Sequence, residues 1–402
     1  MSGIPLVIRL TAGLLIAAAV VLISYQLFRP LPAVTPRLSA QALITLGEKP
    51  QLPWPKTGAA TLRVEGLGSV GTSGTRDPVP MASTAKLMTA LLVLEDHPLG
   101  LNQQGPAITI TAVDVQNFRR AQAEGQSVVA VAVGERLTER QLLDGLLIPS
   151  ANNFADLLAV WDSGSLSDFV DRMNARAAQL KLTGTHFADA SGINPSGVSV
   201  PEDLVEIARA AMAISVFADI VRHMDTVLPI VGRVRNYDRI IGQAGIIGVK
   251  TGNSDAVGGN FVFAADQPLP GKVVRIYGAV MGQSSLQAAF DATLGLLKAA
   301  APHIHYSIVV HRLDPLGAYS TPWSAGATAH PDDFFLALYF DGMTLRQAVE
   351  LRRLEAPAPA RKPVGSIEAS IGEQNLRTSV VLDQDLAGPS LSWRLFRPLS
   401  GP

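Results

Sequence analysis

Three short runs in this chain carry side chains able to do chemistry. The first is Ser83-Thr84-Ala85-Lys86, followed by the apolar residues Leu87, Leu91, Leu92 and Leu94. If Ser83 opens a helix, Lys86 lies three residues on over the same face and within reach of the hydroxyl. A serine hydroxyl is a weak nucleophile until a base takes its proton. An amine in a partly desolvated cleft can be that base, because burial disfavours the ammonium form. The opening turn of the helix adds backbone N–H groups near a reacting carbonyl oxygen. The second run is Ser150-Ala151-Asn152, where Pro149 and the polar residues after it predict a loop between two helices with side chains free to face a cleft. The third is Lys250-Thr251-Gly252, ending an apolar stretch that reads as a strand. There a cation and a hydroxyl can hold a substrate carboxylate, while Gly252 lets another backbone come close. Singly, each run has an ordinary reading as a helix cap, a loop or a strand end. Together they occur in a fixed order, 67 and then 100 residues apart.

The elements that must position these groups can be read from periodicity. Helical spacing begins at Ser83 and recurs at 137–148, 151–161, 166–181, 201–223 and 285–299. Strands are predicted at Ala59 to Gly66, Gly245–Thr251, Gly259–Ala265 and Val273–Met281. Helices in the middle with strands at both ends predict an α+β fold, an antiparallel sheet flanked by helices. After Pro302 the runs Ile308–Val310, Phe334–Tyr339, Gly365–Ile371 and Ser379–Leu382 predict a small β-rich domain, with Ala356–Pro363 as an extended loop inside it. Residues 30–56, which include Pro30, Pro32, Pro36, Pro50, Pro53 and Pro55, read as a linker that forms neither helix nor central strand. The expected division is therefore an N-terminal transmembrane or signal-like segment at 1–29, the linker at 30–56, a catalytic domain at 57–302 and a β-rich domain at 303–402.

Composition removes several alternatives. With 33 Lys and Arg against 34 Asp and Glu in 402 residues, no charge excess drives nucleic-acid binding. The absence of cysteine excludes disulfides, thiolate catalysis and cysteine-based metal sites. The seven histidines show no H-E-x-x-H spacing, so no metal and no cofactor are expected, and His186 reads as a turn or packing residue. Arg119-Arg120 and Arg352-Arg353 read as solvated faces. From Leu10 to Phe28 no residue is charged, a stretch long enough for a hydrocarbon core of ~30 Å. The nearest small-x-small site, Ala40-Gln41-Ala42, lies well beyond Phe28, which favours a retained anchor over a cleaved signal peptide.

The three runs match the motif set S-x-x-K, S-x-N and K-T-G, and the chain resembles the penicillin-recognising serine enzymes of the β-lactamase/transpeptidase-like superfamily. Within it, the chain is most similar to the low-molecular-weight D-alanyl-D-alanine carboxypeptidases. The further matches are Met81-Ala82 ahead of Ser83, Leu146 to Asn152, Phe169-Val170 with Met173-Asn174, and Thr185-His186-Phe187 before Gly192. The resemblance covers residues 57 to 300 and continues, through Leu354-Glu355-Ala356-Pro357 and Val364-Gly365, into the β-rich domain those enzymes carry. It implies that Ser83 is the nucleophile and Lys86 its base. Ser150, bonded among Lys86, Lys250 and Asn152, would relay a proton to the leaving amine. Asn152, Lys250, Thr251, Gly252 and Asn253 would bind substrate, with the backbone N–H groups of Ser83 and Asn253 as the oxyanion hole. The implied partners are peptidoglycan stem peptides, β-lactams as inhibitors, and the cytoplasmic membrane through residues 10–28, with the catalytic domain outside the cytoplasm.

Three departures go with the resemblance. Asn153 stands where the family often has Asp, which is expected to loosen a structural hydrogen bond. The stretch Ser285 to Phe290 lacks the family's Arg, leaving carboxylate recognition to Lys250 and Thr251. The run Ser392 to Pro398 is too short and proline-stopped to serve well as the carboxy-terminal membrane helix of many relatives, and the amino-terminal anchor is expected to replace it. A D,D-endopeptidase, a β-lactamase, and a non-catalytic cell-wall binding or penicillin-sensing protein remain alternatives; the β-lactamase reading lacks a separate deacylating Glu motif.

Overall fold

Strands of the sequence Gly259 to Ala265 (GNFVFAA) are apolar on both faces, which requires a sheet covered on both sides. A computed structural model, describing residues 6–254 and 257–398, shows that sheet. Residues 1–5 and 399–402, at the ends of the expected terminal segments, lie outside the described residues. Five antiparallel strands run in the order Ile246–Ser254, Gly258–Leu269, Lys272–Gln283, Ala59–Val64, Gly68–Gly74. Across them Lys250 pairs with Val262, Val262 with Ala279, and Ala279 with Thr61. Successive side chains point to opposite faces. Val262 and Ala264 join the main helical core, whereas Phe261 turns the other way and meets Phe290 of the Leu286–Ala300 helix edge-on, at 5.0 Å between ring centroids.

The helical layer is built around Lys86–Asp96, in which every residue from Lys86 to Leu94 is buried. A helix without a polar face belongs in the centre of a core. Here Glu139–Leu147, Asn152–Ser163, Leu166–Gln179 and Pro201–Met212 contribute to the same apolar cluster. Two details differ from the periodicity. Ser83 does not open the α-helix but sits in a 3-10 turn, Ala82–Ala85, immediately before it. The single helix expected at 201–223 is two, Pro201–Met212 and Ser215–Val221. A helix at Ala112–Ala123 was not legible from periodicity because Phe118 is its one buried residue; its signal was the capping box of Thr111 and Asp114.

The chain divides into two units, Lys49–His305 and a second that joins the N-terminal part through Glu48 to Tyr306 onward. The second unit is a seven-stranded antiparallel sheet in the order Pro36–Leu38, Gly317–Thr321, Ser324–Pro331, Gln374–Leu382, Pro363–Ile371, Met343–Leu351, Leu43–Leu46. Tyr319, Ala329, Leu345, Val364, Ile367 and Val380 lie in its core. The expected linker at 30–56 is thereby corrected: it supplies both edge strands, with Pro36 opposite Tyr319 and Leu43 opposite Arg346. An edge strand tolerates proline because its outer N–H positions have no partner to lose. Leu6–Phe28 forms a 23-residue helix, long and apolar enough to cross a membrane.

Candidate active site

The 3-10 turn carrying Ser83 is held from three sides by polar groups. The Thr84 hydroxyl donates to the Met81 carbonyl at 2.7 Å. Asn260, a buried amide, donates to the carbonyls of Pro80 and Met81 and accepts from Gly282 N–H. Gly192, at φ +81°, packs where a Cβ would fall 1.8 Å from the Ala82 carbonyl oxygen, so only glycine permits this contact. Gly252 plays the role expected of it: a Cβ there would stand 3.0 Å from the Met81 carbonyl and 3.2 Å from Thr84 N, and its absence lets the Ile246–Ser254 strand lie against the turn.

Lys86, fully buried, points its side-chain nitrogen at three oxygens: Ser83 Oγ at 2.8 Å, Asn152 Oδ1 at 2.6 Å and the Ser191 carbonyl at 2.8 Å. Two of these are carbonyl oxygens, which can only accept. A neutral amine has two N–H groups and one lone pair; with its N–H groups given to Asn152 and Ser191, the lone pair is left for the Ser83 hydroxyl proton. Burial, reinforced by the charge of Lys250, drives the Lys86 pKa well below that of a free lysine, against the opposing pull of Asp189 and Asp156.

Lys250, also buried, donates to Ser150 Oγ at 2.9 Å and to the Thr251 carbonyl at 3.0 Å. Burial brings its pKa to about 7, with the Asp238 carboxylate pulling upward. Ser150 is thus bonded to Lys250 and not to Lys86, a correction to the expected three-way network; its φ of +62° marks a strained backbone at the loop. Asn152 spans to Gln126, donating to Oε1 at 2.8 Å. Asn153 corrects a second expectation: it accepts from Val129 N–H at 3.1 Å and donates to the Val129 carbonyl at 2.9 Å. A carboxylate could make only the first of these bonds, so the amide tightens the contact rather than loosening it. Asn253 follows on the same strand, exposed and paired with Gly259.

Several contributors were not singled out by sequence. Asp189 gathers the backbone N–H groups of Ser191, Gly192 and Asn194 onto its carboxylate and so fixes the loop whose Ser191 carbonyl holds Lys86. The run D-x-S-G-x-N was a turn signal that could have found it. Asp156, brought up to about 6 by burial and by Asp189, adds a second carboxylate to the field around Lys86. Asp238 and Gln126 left no local signal, since each acts across long sequence separations. Among the described residues no group of three metal-ligating side chains occurs.

A buried lysine aimed at a serine, beside a second lysine on a sheet edge, defines a serine hydrolase site of the serine-lysine class. Residues 70–285 match the D-alanyl-D-alanine carboxypeptidase family, peptidase family S11, and the chain belongs to that family. It is 40% identical over 193 residues to the D-alanyl-D-alanine carboxypeptidase DacB2 of Mycobacterium tuberculosis, which covers 46% of this chain and 62% of that protein's length. The Streptomyces K15 DD-transpeptidase superposes with a TM-score of 0.55 at 29% identity, over 62% of this chain and 98% of that one. Penicillin binding protein 6B of Escherichia coli shares the fold over 82% of this chain and 96% of its own, with a TM-score of 0.62 at 20% identity.

Proposed function

We propose that this chain is a membrane-anchored serine D,D-carboxypeptidase that removes the terminal D-alanine from peptidoglycan stem peptides and is acylated by β-lactams. The observation that carries this reading is Lys86 Nζ, buried and 2.8 Å from Ser83 Oγ, with carbonyl acceptors for its N–H groups on Asn152 and Ser191. Lys86 takes the Ser83 proton as Oγ bonds to the carbonyl carbon of the D-alanyl-D-alanine bond. The oxygen that gains charge lies in the hole formed by the backbone N–H groups of Ser83 and Asn253. As the C–N bond breaks, Lys86 hands the proton it took from Ser83 to the departing amine, leaving an ester on Ser83 and free D-alanine. Water then cleaves the ester and returns Ser83 its proton. Lys250 and Thr251, with Gly252 giving close access and Asn152 lining the cleft, hold the substrate's backbone and terminal carboxylate. The strained β-lactam amide is the same bond to the nucleophile.

Leu6–Phe28 serves as the anchor, with the N-terminus in the cytoplasm and residue 30 onward outside, where the stem peptides are. The test is incubation of the full chain with a stem pentapeptide and weighing of the products. Loss of one D-alanine, together with covalent labelling by a fluorescent penicillin, is expected; Ser83→Ala abolishes both while the protein stays folded. Full labelling of that variant would place the nucleophile elsewhere, and hydrolysis of cross-linked dimers but not of pentapeptide would make the enzyme an endopeptidase.

A further inference from the structure

Among the described residues of the seven-stranded-sheet unit, the buried polar side chains are two, Gln26 and Arg397, and they meet across 371 residues of sequence. Gln26 donates to the Arg397 carbonyl at 3.0 Å. The Arg397 guanidinium donates to the carbonyls of Gln26, Arg29 and Pro30 at 3.1, 2.6 and 3.2 Å. Arg394 donates to the Leu27 carbonyl at 2.9 Å, and Arg29 to that of Pro398 at 2.8 Å. The last carbonyls of an α-helix have no partner within the helix. Here the end of Leu6–Phe28 receives its partners from the far end of the chain. The short helix Leu391–Phe396 is fixed for this task by its Ser390 cap and by Trp393, which packs edge-on against Trp323 with 4.7 Å between centroids.

The outward surface of this junction is apolar, with the partly exposed Arg29 and Arg394 beside it. Phe28, Leu391 and Phe396 are 85%, 71% and 86% exposed. From residue 1 to 47 and from 386 to 402 the sequence contains Arg9, Arg29, Arg37, Arg394 and Arg397 and not one Asp or Glu. Exposed aromatic and aliphatic side chains beside arginines, continuous with a membrane-spanning helix, match the boundary between acyl chains and headgroups, and guanidinium groups pair with phosphate through two parallel bonds.

We propose that residues 390–398 clasp the outer end of the Leu6–Phe28 helix, and that the joined segment forms a seat on the anionic phospholipid surface of the bilayer this helix crosses. Arg397 is the clasp, Arg29 and Arg394 face the phosphates, and Phe28, Leu391 and Phe396 enter the interface. The seat deepens the anchor reading above and rests on it. It also requires that the helix be retained, since processing after Ala42 would remove the clasped residues together with the Pro36–Leu38 edge strand.

The chain contains no cysteine, so single substitutions accept a nitroxide label at one place. Full-length Leu15→Cys, Phe396→Cys and Asn375→Cys proteins, labelled and reconstituted in phosphatidylglycerol-containing bilayers, are compared by accessibility to oxygen and to a water-soluble relaxant. We expect the label at 15 in the hydrocarbon core, the label at 375 in water, and the label at 396 at headgroup depth, about tenfold less accessible to the water-soluble relaxant than that at 375. A label at 396 as accessible as that at 375, with 15 in the core, overturns the seat and leaves the anchor standing. A label at 15 in water removes the anchor reading and the seat with it. Unchanged protection at 396 in pure phosphatidylcholine overturns the part assigned to anionic headgroups.

Discussion

The two units of this protein spend their interiors differently. In Lys49–His305 the core contains Lys86, Lys250, Ser150, Asn152, Asn153, Asp238 and Asn260 among its buried side chains. In the seven-stranded-sheet unit the hydrophobic core is Val, Leu, Ile, Ala, Phe and Tyr319, whose hydroxyl donates to the Arg352 carbonyl, and the two polar exceptions among the described residues sit together at the end of the Leu6–Phe28 helix. Burying a charge or an amide is costly unless it is partnered. An interior that accepts many such groups is therefore shaped by chemistry, and one that accepts none is shaped by packing. The positions of the exceptions are the informative part: in the first unit Lys86 and Asn152 meet beside Ser83, and in the second Gln26 and Arg397 meet at the end of the Leu6–Phe28 helix.

Five substitutions break or sharpen this contrast. The largest effect belongs to Lys86. Arginine keeps the charge but cannot lose its proton, so Lys86→Arg should slow acylation by ~10²–10⁴-fold, measured as the rate of penicillin labelling. Lys250→Arg should retain part of the activity, because its role calls for the charged state; equal damage by the two would end the division of roles. Next is Leu345→Ala in the apolar sheet, where the buried leucine leaves a cavity. A loss of about 2–5 kcal/mol in chemical denaturation of that unit is expected, with the labelling rate unchanged.

Asn153→Asp tests whether a buried amide in the first unit is structural. The carboxylate keeps the bond from Val129 N–H but sets an acceptor against the Val129 carbonyl. The expected cost is about 1–3 kcal/mol of stability, seen as a lower melting temperature, and an unchanged melting temperature would show that the amide's second bond contributes nothing. The smallest effect concerns pH. Lys86 must be neutral, so activity rises as pH climbs through its depressed pKa; Lys250 must be charged, so activity falls as pH passes about 7. Asp238 holds the Lys250 proton on. Asp238, itself raised to about 7 by burial, carries its charge only toward the alkaline side, so Asp238→Asn should move the alkaline limb to lower pH and leave the acid limb in place. The optimum narrows from the alkaline side, read from kcat/KM against pH; a widened or unmoved profile would remove Asp238 from the field.

Much of this was legible in the sequence by itself. Ser83, Lys86, Asn152 and Lys250 stand out because helix and strand geometry fix neighbours three residues apart or on one strand, and because the order of the runs is unusual. The sheet and most of its helices follow from apolar periods of two and 3.6, and the uncharged stretch Leu10–Phe28 is apparent from composition alone. Tertiary structure decided what depends on groups distant in sequence. The acceptors at Lys86 come from residues 66 and 105 positions away. Lys250 alone reaches Ser150, across 100 residues, and the proline-rich segment finds its place as two sheet edges because partners near Tyr319 and Arg346 exist to receive it. Likewise, no local pattern could join Gln26 to Arg397. Periodicity reports which face of an element seeks burial; the identity of the partner waiting there is set only when the whole chain has closed around it.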